Sequence, residues 1–166
     1  MADPEETDGY TTRAGGAAIG ARLRRLSERI DRDANRLYAE TGVPFEQRWF
    51  GVVNLLNLQG AMSVGELAAQ LGVSHATVSQ VRNALNTAGL VSWEGDKSNP
   101  RLRRLRLSPQ GQATARRLEP LWNALSETAV ELNDEAQNAV GALERLDRAV
   151  QRRSLYERVK GKLGEG

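Results

Sequence analysis

The stretch from Ser63 to Gly111 constrains the fold most, because it holds two short helices with clear start and stop signals and a very tight turn between them. Ser63 and Glu66 match a capping box, in which both side chains satisfy free backbone N–H groups at the helix start. Gly72 can adopt the left-handed conformation that ends this helix, and Ser74 can cap a second helix two residues later. A turn this short forces the helices to cross steeply, as in a helix-turn-helix.

Apolar periodicity extends this prediction through the rest of the stretch. Each helix has one apolar face, formed by Val64, Leu67, Ala68 and Leu71 in the first and by Val78, Val81 and Leu85 in the second. After Gly89, strand-like residues 90–93, a polar loop at 94–100 and an alternating run at 104–107 predict a β-hairpin, or wing. Residues 74–106 contain six Lys or Arg and two acids. The helix-turn-helix and the wing, together called the head, are therefore predicted to be strongly positive.

These residues resemble the MarR family of bacterial transcription regulators. The similarity is carried by residues 64–68 (VGELA), 73–74 with 77–79, 88–91 (AGLV), 99–101 (NPR), 105–108 (LRLS) and Gly111. One departure is Asn99, because the family's wing usually has an aspartate there, whose charge would help to hold Arg101.

The resemblance implies a mostly α fold: a winged helix-turn-helix with a two-stranded β-wing and long N- and C-terminal dimerisation helices. It also implies a homodimer that binds a pseudo-palindromic site in double-stranded DNA, with a ligand-responsive repressor as the expected function. The rival class is a winged-helix protein-interaction module or scaffold without specific DNA binding. An interaction surface has an apolar anchor patch depleted in charge, whereas this head carries arginines.

Composition argues against several other classes. The chain has no cysteine, which rules out disulfides, thiolate zinc sites and thiol redox sensing. His75 is the only histidine, so a transition-metal sensor is not expected. The sequence shows no nucleophile beside a base, no glycine-rich phosphate loop and no carboxylate pair with catalytic spacing. We therefore expect no catalytic residue, no metal and no cofactor.

The formal charge of +2 is unevenly distributed. Residues 1–12 carry four acids and no Lys or Arg, so residues 13–166 carry a net +6. No apolar run approaches the ~20 residues needed to cross a bilayer, and the N-terminus lacks the basic and then apolar pattern of a secretory signal. We expect a cytoplasmic protein, associated with the nucleoid when bound to DNA, and no membrane partner.

Composition and helical periodicity, together with the resemblance, divide the chain into five expected parts. They are a disordered acidic tail (1–15), an N-terminal dimerisation helix (16–43), a winged helix-turn-helix DNA-binding domain (44–108), C-terminal dimerisation helices (109–160) and a flexible tail (161–166). We expect Pro44 to start a helix and the Ser108-Pro109 pair to start another. Pro120 should kink that long helix, and the polar residues 133–138 and those after Val150 should mark a break and a fraying end.

The long helices at 17–41 and 121–160 carry apolar stripes that one small head cannot cover. A symmetric dimer would cover them. The alternative is that these helices pack only on each other within one chain.

The second helix of the helix-turn-helix is the predicted recognition helix. Its inward apolar residues leave a polar face of the kind that contacts base edges and phosphates, formed by Ser74, His75, Thr77, Ser79, Gln80 and Asn83. Gln80 and Asn83 can donate and accept together, which suits adenine, whereas His75, Thr77 and Ser79 suit phosphates or single base edges. The alternative for any one of them is an ordinary solvated helix face.

The wing supplies further basic residues. Arg101 at its tip is expected to enter a minor groove and to respond to the groove's width. Lys97, Arg103 and Arg104 are expected to neutralise nearby phosphates. The alternative is a wing whose charges only keep the protein soluble.

A separate set of aromatic residues predicts an effector site. Tyr38, Phe45, Trp49 and Trp122 are on helices expected to meet where the head joins the dimerisation helices. In the resembled family a crevice of this kind receives small aromatic or lipophilic effectors, and Arg48 could pair with an acidic one. The alternative, that these residues form the core, is the commoner outcome for aromatic residues at helical spacing.

Overall fold

The computed structural model describes residues 13–95 and 103–164. These ranges contain seven α-helices: α1 (Ile19–Glu40), α2 (Phe50–Gln59), α3 (Val64–Leu71), α4 (His75–Thr87), α5 (Pro109–Glu135), α6 (Ala139–Arg152) and α7 (Leu155–Gly164). Strands β1 (Val91–Gly95) and β2 (Arg103–Leu107) form one antiparallel hairpin. This order confirms the predicted winged helix-turn-helix. Most of the tail predicted at 1–15 and the end of the tail predicted at 161–166 lie outside the described residues.

The chain forms two units that divide within α5, between Leu118 and Glu119. The first unit contains α1 to α4, the wing and the start of α5, and its core includes the fully buried side chains of Tyr38, Leu67, Leu85, Leu105 and Leu118. The second unit contains the rest of α5 with α6 and α7, and no residue of α6 or α7 is buried. None of the described helices is long and apolar enough to cross a bilayer.

The start of the second helical segment differs from the prediction. Pro44 does not begin a helix; a 3₁₀ turn begins at Gln47 and leads into α2. Val43 and Phe45 are both buried, and burial of alternate residues is typical of extended backbone. The Gln47 backbone N–H then donates to Asn35 Oδ1 at 2.9 Å, which satisfies a donor at the start of the turn.

Both helices of the helix-turn-helix begin as predicted, and the first also ends as predicted. Ser63 Oγ accepts from the Glu66 backbone N–H, and Glu66 Oε2 accepts from the Ser63 backbone N–H at 2.7 Å, which completes the capping box. Gly72 follows α3 with a φ of +65°, in the left-handed region. Ser74 Oγ then accepts from the Thr77 backbone N–H at 3.1 Å and caps α4.

The wing has two distinct faces because successive strand residues point to opposite sides. In the register Trp93 pairs with Leu105 and Gly95 with Arg103, which places Arg103 diagonally beside Trp93 on one face. The other face carries Ser92, Glu94, Arg104 and Arg106. Met62 adds an unpredicted bridge at the edge of β2, where its N–H and carbonyl exchange hydrogen bonds with Leu105 at 2.9 and 2.7 Å.

A close backbone contact fixes the start of α5. Ser108 Oγ accepts from the Gly111 N–H at 3.0 Å and donates to the Gly89 carbonyl at 2.6 Å. A Cβ on Gly111 would collide with the Leu90 carbonyl oxygen, so only glycine allows this approach. The helix then continues past Pro120 to Glu135.

The predicted break within residues 133–138 is confirmed, but the expected fraying end is wrong. Gln137 and Asn138 have φ values of 52° and 67° and separate α5 from α6. Instead of fraying after Val150, the chain forms a separate helix, α7. Ser154 and Glu157 make a second capping box there, with Ser154 N–H donating to Glu157 Oε2 at 2.7 Å. The Ser-x-x-Glu pattern at 154–157 is the sequence signal for this helix.

Candidate nucleic-acid interface

The predicted recognition helix α4 presents a polar face to solvent. Val78 and Leu85 are buried beneath it. His75, Thr77, Gln80 and Asn83 are exposed, and Ser79 is half-buried. The orientation predicted from periodicity is therefore confirmed, while the contacts of these side chains with DNA stay predictions.

Two of these residues also hold the start of α4. Ser74 Oγ accepts from the Thr77 backbone N–H, and the two hydroxyl oxygens lie 2.9 Å apart in a second hydrogen bond. His75 lies over α3, because a Cβ built on Gly65 would come within 3.4 Å of its Cε1 atom. These contacts fix the first turn of α4, whose positive dipole end favours a nearby anion.

One face of the wing joins α4 through an aromatic side chain. The guanidinium carbons of Arg82 on α4 and Arg103 on β2 lie 5.5 and 5.8 Å from the centroid of the Trp93 ring. Both distances are within the range of a cation–π contact. Sequence reasoning gave Trp93 no role and counted Arg82 only as a charge. Strand alternation in residues 91–95 and 103–107 could have placed Trp93 and Arg103 on the same face.

Arg104 faces the opposite way and is engaged within the chain. Its Nε donates to the Ala61 carbonyl at 3.0 Å, and its Nη2 lies 3.2 Å from Glu66 Oε2. The hydrogen bonds from the Ser63 backbone and hydroxyl, together with the charge of Arg104, hold the pKa of Glu66 below its ordinary value of 4.5. Arg104 thus connects the wing to the start of α3, and its predicted role at a phosphate stays a prediction.

An open groove of about 470 Å³ lies between the wing, the end of α2 and the start of α5. Its apolar floor includes Leu56 and Leu107, and Glu94, Arg106 and Arg116 line its sides. Arg106 Nη1 and Glu94 Oε2 are 3.9 Å apart, at the limit of an ion pair. The remaining predicted wing contacts, Lys97 and Arg101, and the departure at Asn99 lie outside the described residues.

The aromatic residues predicted to bind an effector form part of the core of the first unit. Tyr38 and Phe45 have ring centroids 4.9 Å apart, and the Phe45 and Trp49 centroids are 5.6 Å apart with nearly perpendicular rings. All three side chains are buried. Trp122 is also buried but belongs to the second unit. The structure thus favours the core alternative for the three residues of the first unit.

Two details of this aromatic cluster bear on ligand binding. Arg48 is exposed, and its Nε is paired with Glu46 Oε2 at 2.6 Å, so its charge is already partly compensated. Trp49 Nε1 is the only buried side-chain nitrogen or oxygen without a hydrogen-bond partner within the described part of the chain. A buried N–H without a partner is costly, and a water molecule or a ligand atom can supply the acceptor.

Comparison with known proteins covers the head by sequence and most of the chain by structure. The model of the family described as "Bacterial regulatory protein, arsR family" matches residues 51–92, from α2 to the start of β1. No curated protein matches the chain significantly. A MarR/EmrR family transcriptional regulator from Acinetobacter sp. ADP1 is 17% identical and matches 82% of this chain and 96% of its own, with a TM-score of 0.67.

The chain has the MarR fold. Two further MarR-fold neighbours were solved with a bound molecule. The S. aureus MepR–DNA complex is 15% identical over 79% of this chain and 97% of its own, with a TM-score of 0.65. PcaV from Streptomyces coelicolor, solved with its natural ligand, is 20% identical over 80% of this chain and 93% of its own, with a TM-score of 0.63. The resemblance seen in residues 63–111 is confirmed as a shared MarR fold.

Proposed function

We propose that the protein is a sequence-specific, DNA-binding transcription regulator, a cytoplasmic homodimer that acts as a ligand-responsive repressor on a pseudo-palindromic site. One observation carries this proposal: the exposed polar face of α4 lies beside a wing face whose Trp93 is flanked by Arg82 and Arg103. Polar groups for base edges and guanidinium groups for phosphates are thus combined in one unit. The MarR-fold neighbour MepR, solved on DNA, supports this reading.

The surface of the head gives less support to a protein-interaction module. Among its described residues from α2 to β2, the exposed large apolar side chains are those of Leu58, Val73 and Trp93. Trp93 is 38% exposed and lies against two guanidinium groups, so it is not a free apolar anchor. A protein interface needs a clustered apolar centre with little charge.

Dimerisation is supported by apolar stripes that a single chain leaves exposed. On α1 these side chains lie three, four or seven residues apart, on one face of the helix: Ile19, Leu23, Leu26, Ile30 and Leu37, with 37 to 53% of each exposed. On α6 the corresponding residues are Val140, Leu143 and Val150. A symmetric partner would remove these stripes from water and place two heads on one duplex.

Trp49 supports an effector that carries a hydrogen-bond acceptor. The indole N–H of Trp49 is buried without an acceptor beside the rings of Tyr38 and Phe45. An aromatic carboxylate that entered beside Trp49 would accept this hydrogen bond. If the ligand binds more tightly to the dimer state that does not bind DNA, it lowers the affinity of the protein for DNA.

The DNA-binding proposal is tested on the protein's own sites. Immunoprecipitation of the bound genomic fragments, followed by sequencing, should return pseudo-palindromes with half-sites ~10 bp apart, since two heads enter successive major grooves. Gln80→Ala should reduce the free energy of binding to the specific site by roughly 1 to 3 kcal/mol and relax the base preference at one base pair per half-site. Lys97→Ala should lower the affinity for specific and random duplexes alike. It should also make the dependence of log affinity on log salt concentration shallower by about one. If the wild type binds no recovered fragment in vitro, the interaction-module alternative replaces the proposal.

The effector proposal has a separate test. Benzoate, 4-hydroxybenzoate and related aromatic acids are titrated into the protein–DNA complex while DNA affinity is followed by fluorescence anisotropy. Trp49→Phe keeps an aromatic ring but removes the N–H, so it should bind DNA normally and respond about tenfold more weakly to an active acid. If none of the acids releases the wild type from DNA, the effector proposal fails while DNA binding stands.

A further inference from the structure

Arg82 is held between two side chains, one on its own helix and one on the wing. Its guanidinium group lies 5.5 Å from the Trp93 ring centroid. Its Nε and Nη2 atoms also donate to Asn83 Oδ1 at 3.2 and 2.7 Å. The Trp93 contact and the forked hydrogen bond together restrict the rotamers that this long side chain can adopt.

The forked hydrogen bond decides which way the Asn83 amide faces. A guanidinium group has five N–H donors and no acceptor, so the Asn83 atom that it contacts must be the oxygen. The Asn83 NH₂ group, with two donors, is then left for other partners, and Asn83 is exposed on the predicted reading face of α4. In this state the Asn83 NH₂ group can donate to a base, but the Asn83 oxygen already accepts two hydrogen bonds from Arg82 and cannot accept one from a base.

The hydrogen bonds from Arg82 to the Asn83 oxygen prevent the two-bond contact that an asparagine amide makes with adenine. Adenine presents an acceptor and a donor in the major groove, and asparagine reads it by donating and accepting together. Guanine presents two acceptors, N7 and O6, and no donor on that edge. A donor-only amide can donate to both adjacent acceptors of guanine. At an A·T pair the acceptors, adenine N7 and thymine O4, are separated by the adenine amino group, so the amide makes one hydrogen bond and leaves that amino group unpaired.

We propose that Arg82, held over Trp93, fixes Asn83 as a hydrogen-bond donor, so that Asn83 selects a G·C over an A·T base pair in each half-site. Asn83 is then a specificity-determining residue, and Arg82 and Trp93 are positioning residues that need not touch the base. The inference rests on the proposed DNA-binding function and replaces the adenine preference expected from the sequence.

The test measures base preference, which a change in stability alone would not reverse. A duplex library randomised through one half-site is bound, separated and sequenced for the wild type and each variant. Asn83→Ala identifies the base pair that this residue reads. At that pair the wild type should favour G·C by about tenfold, and Arg82→Leu, which frees the amide oxygen, should move the preference to A·T. Trp93→Leu should move it in the same direction, whereas Trp93→Phe, which keeps an aromatic face under Arg82, should retain G·C.

Arg106→Leu is the matched control, because it removes the same charge from the other face of the wing. It should lower affinity without changing the preferred base pair. An A·T preference in the wild type, or a G·C preference that survives both Arg82→Leu and Trp93→Leu, would overturn the inference while leaving DNA binding intact. The inference would also be overturned if Asn83→Ala changed the base preference at no position of the half-site. Failure of the wild type to bind the library would overturn the proposed function as well.

Discussion

Arg103 and Arg104 are neighbours on β2, yet strand alternation gives them different partners. Arg103 lies beside Trp93 on the face that joins α4, whereas Arg104 bonds to the Ala61 carbonyl and to Glu66 on the other face. A count of basic residues treats the two as equal. Their environments predict that one acts mainly on DNA and the other mainly on stability.

Alanine substitutions at these two positions should separate the roles. Arg104→Ala should lower the free energy of unfolding by about 1 kcal/mol, because it removes charged hydrogen bonds that are partly screened by solvent. Arg103→Ala should change stability by less than about 0.5 kcal/mol but reduce affinity for all DNA and make the salt slope shallower by about one. Urea unfolding and anisotropy across a salt series measure both quantities. Equal losses of DNA affinity in the two variants would contradict the assignment of Arg103 to DNA binding and Arg104 to stability.

The lowered pKa of Glu66 predicts how α3 responds to acid. Because the pKa in the folded protein lies below the ordinary 4.5, the carboxylate stabilises the fold above that pH, and this contribution is lost as the pH falls through the lowered pKa. Glu66→Gln should therefore be less stable than the wild type at pH 7, and the difference should shrink as the pH falls below 4.5. Urea unfolding at a series of pH values measures it. A difference that is constant with pH would show that the charge of Glu66 contributes nothing.

The sequence could predict Glu66 but not its partner Arg104. The capping box is local, since Ser63 and Glu66 are three residues apart and their types alone suggest the contact. Arg104 contacts Ala61 and Glu66 across 43 and 38 residues. Only the fold brings these groups together. The Arg82 contact with Trp93 on the wing was missed for the same reason.

At the scale of elements, helix starts were predictable where a side-chain cap marks them. Ser63, Ser74 and Ser108 all accept a backbone N–H at the predicted position. Pro44 failed because proline permits a first helical turn but does not require one, and burial of its neighbours favours extended backbone instead. The caps are the stronger signal because they add hydrogen bonds that only the helix start can use.

Ser74 offers a way to separate capping from DNA binding. Ser74→Ala should cost about 1 kcal/mol of stability, since the Thr77 N–H loses its acceptor. Ser74→Asp keeps an acceptor, so it should unfold within about 0.5 kcal/mol of the wild type. Its negative charge would face DNA phosphates, however, and should weaken binding to specific and random duplexes alike. Normal DNA binding by Ser74→Asp would place the start of α4 away from the duplex.

At the scale of the whole molecule, the proposed homodimer depends on side chains that a single chain leaves in water. Leu26 on α1 is 53% exposed within its apolar stripe. Ser27, the next residue, is also exposed but lies outside that stripe. Adding the same charge at each position therefore distinguishes a buried interface from a solvated face.

Leu26→Glu should raise the dissociation constant of the dimer by about 100-fold or more, because symmetry buries the new carboxylate twice. Ser27→Glu should leave it nearly unchanged. Sedimentation velocity over a concentration series measures the constant, and circular dichroism checks that both variants fold. Affinity for a full pseudo-palindrome should fall with dissociation, while affinity for a single half-site should not. A dimer that withstands Leu26→Glu would place the interface elsewhere.

The contact at Gly111 has a consequence for anyone who diversifies this gene. Every missense change in a glycine codon adds a Cβ, and here that atom would overlap the Leu90 carbonyl oxygen. A library screened for the proposed DNA binding should therefore return position 111 unvaried, just as it would return a residue that contacts a base. Intolerance at that position reports how closely two backbones approach at the start of the long helix. A mutational scan interpreted without the structure would count Gly111 among the residues proposed to contact DNA.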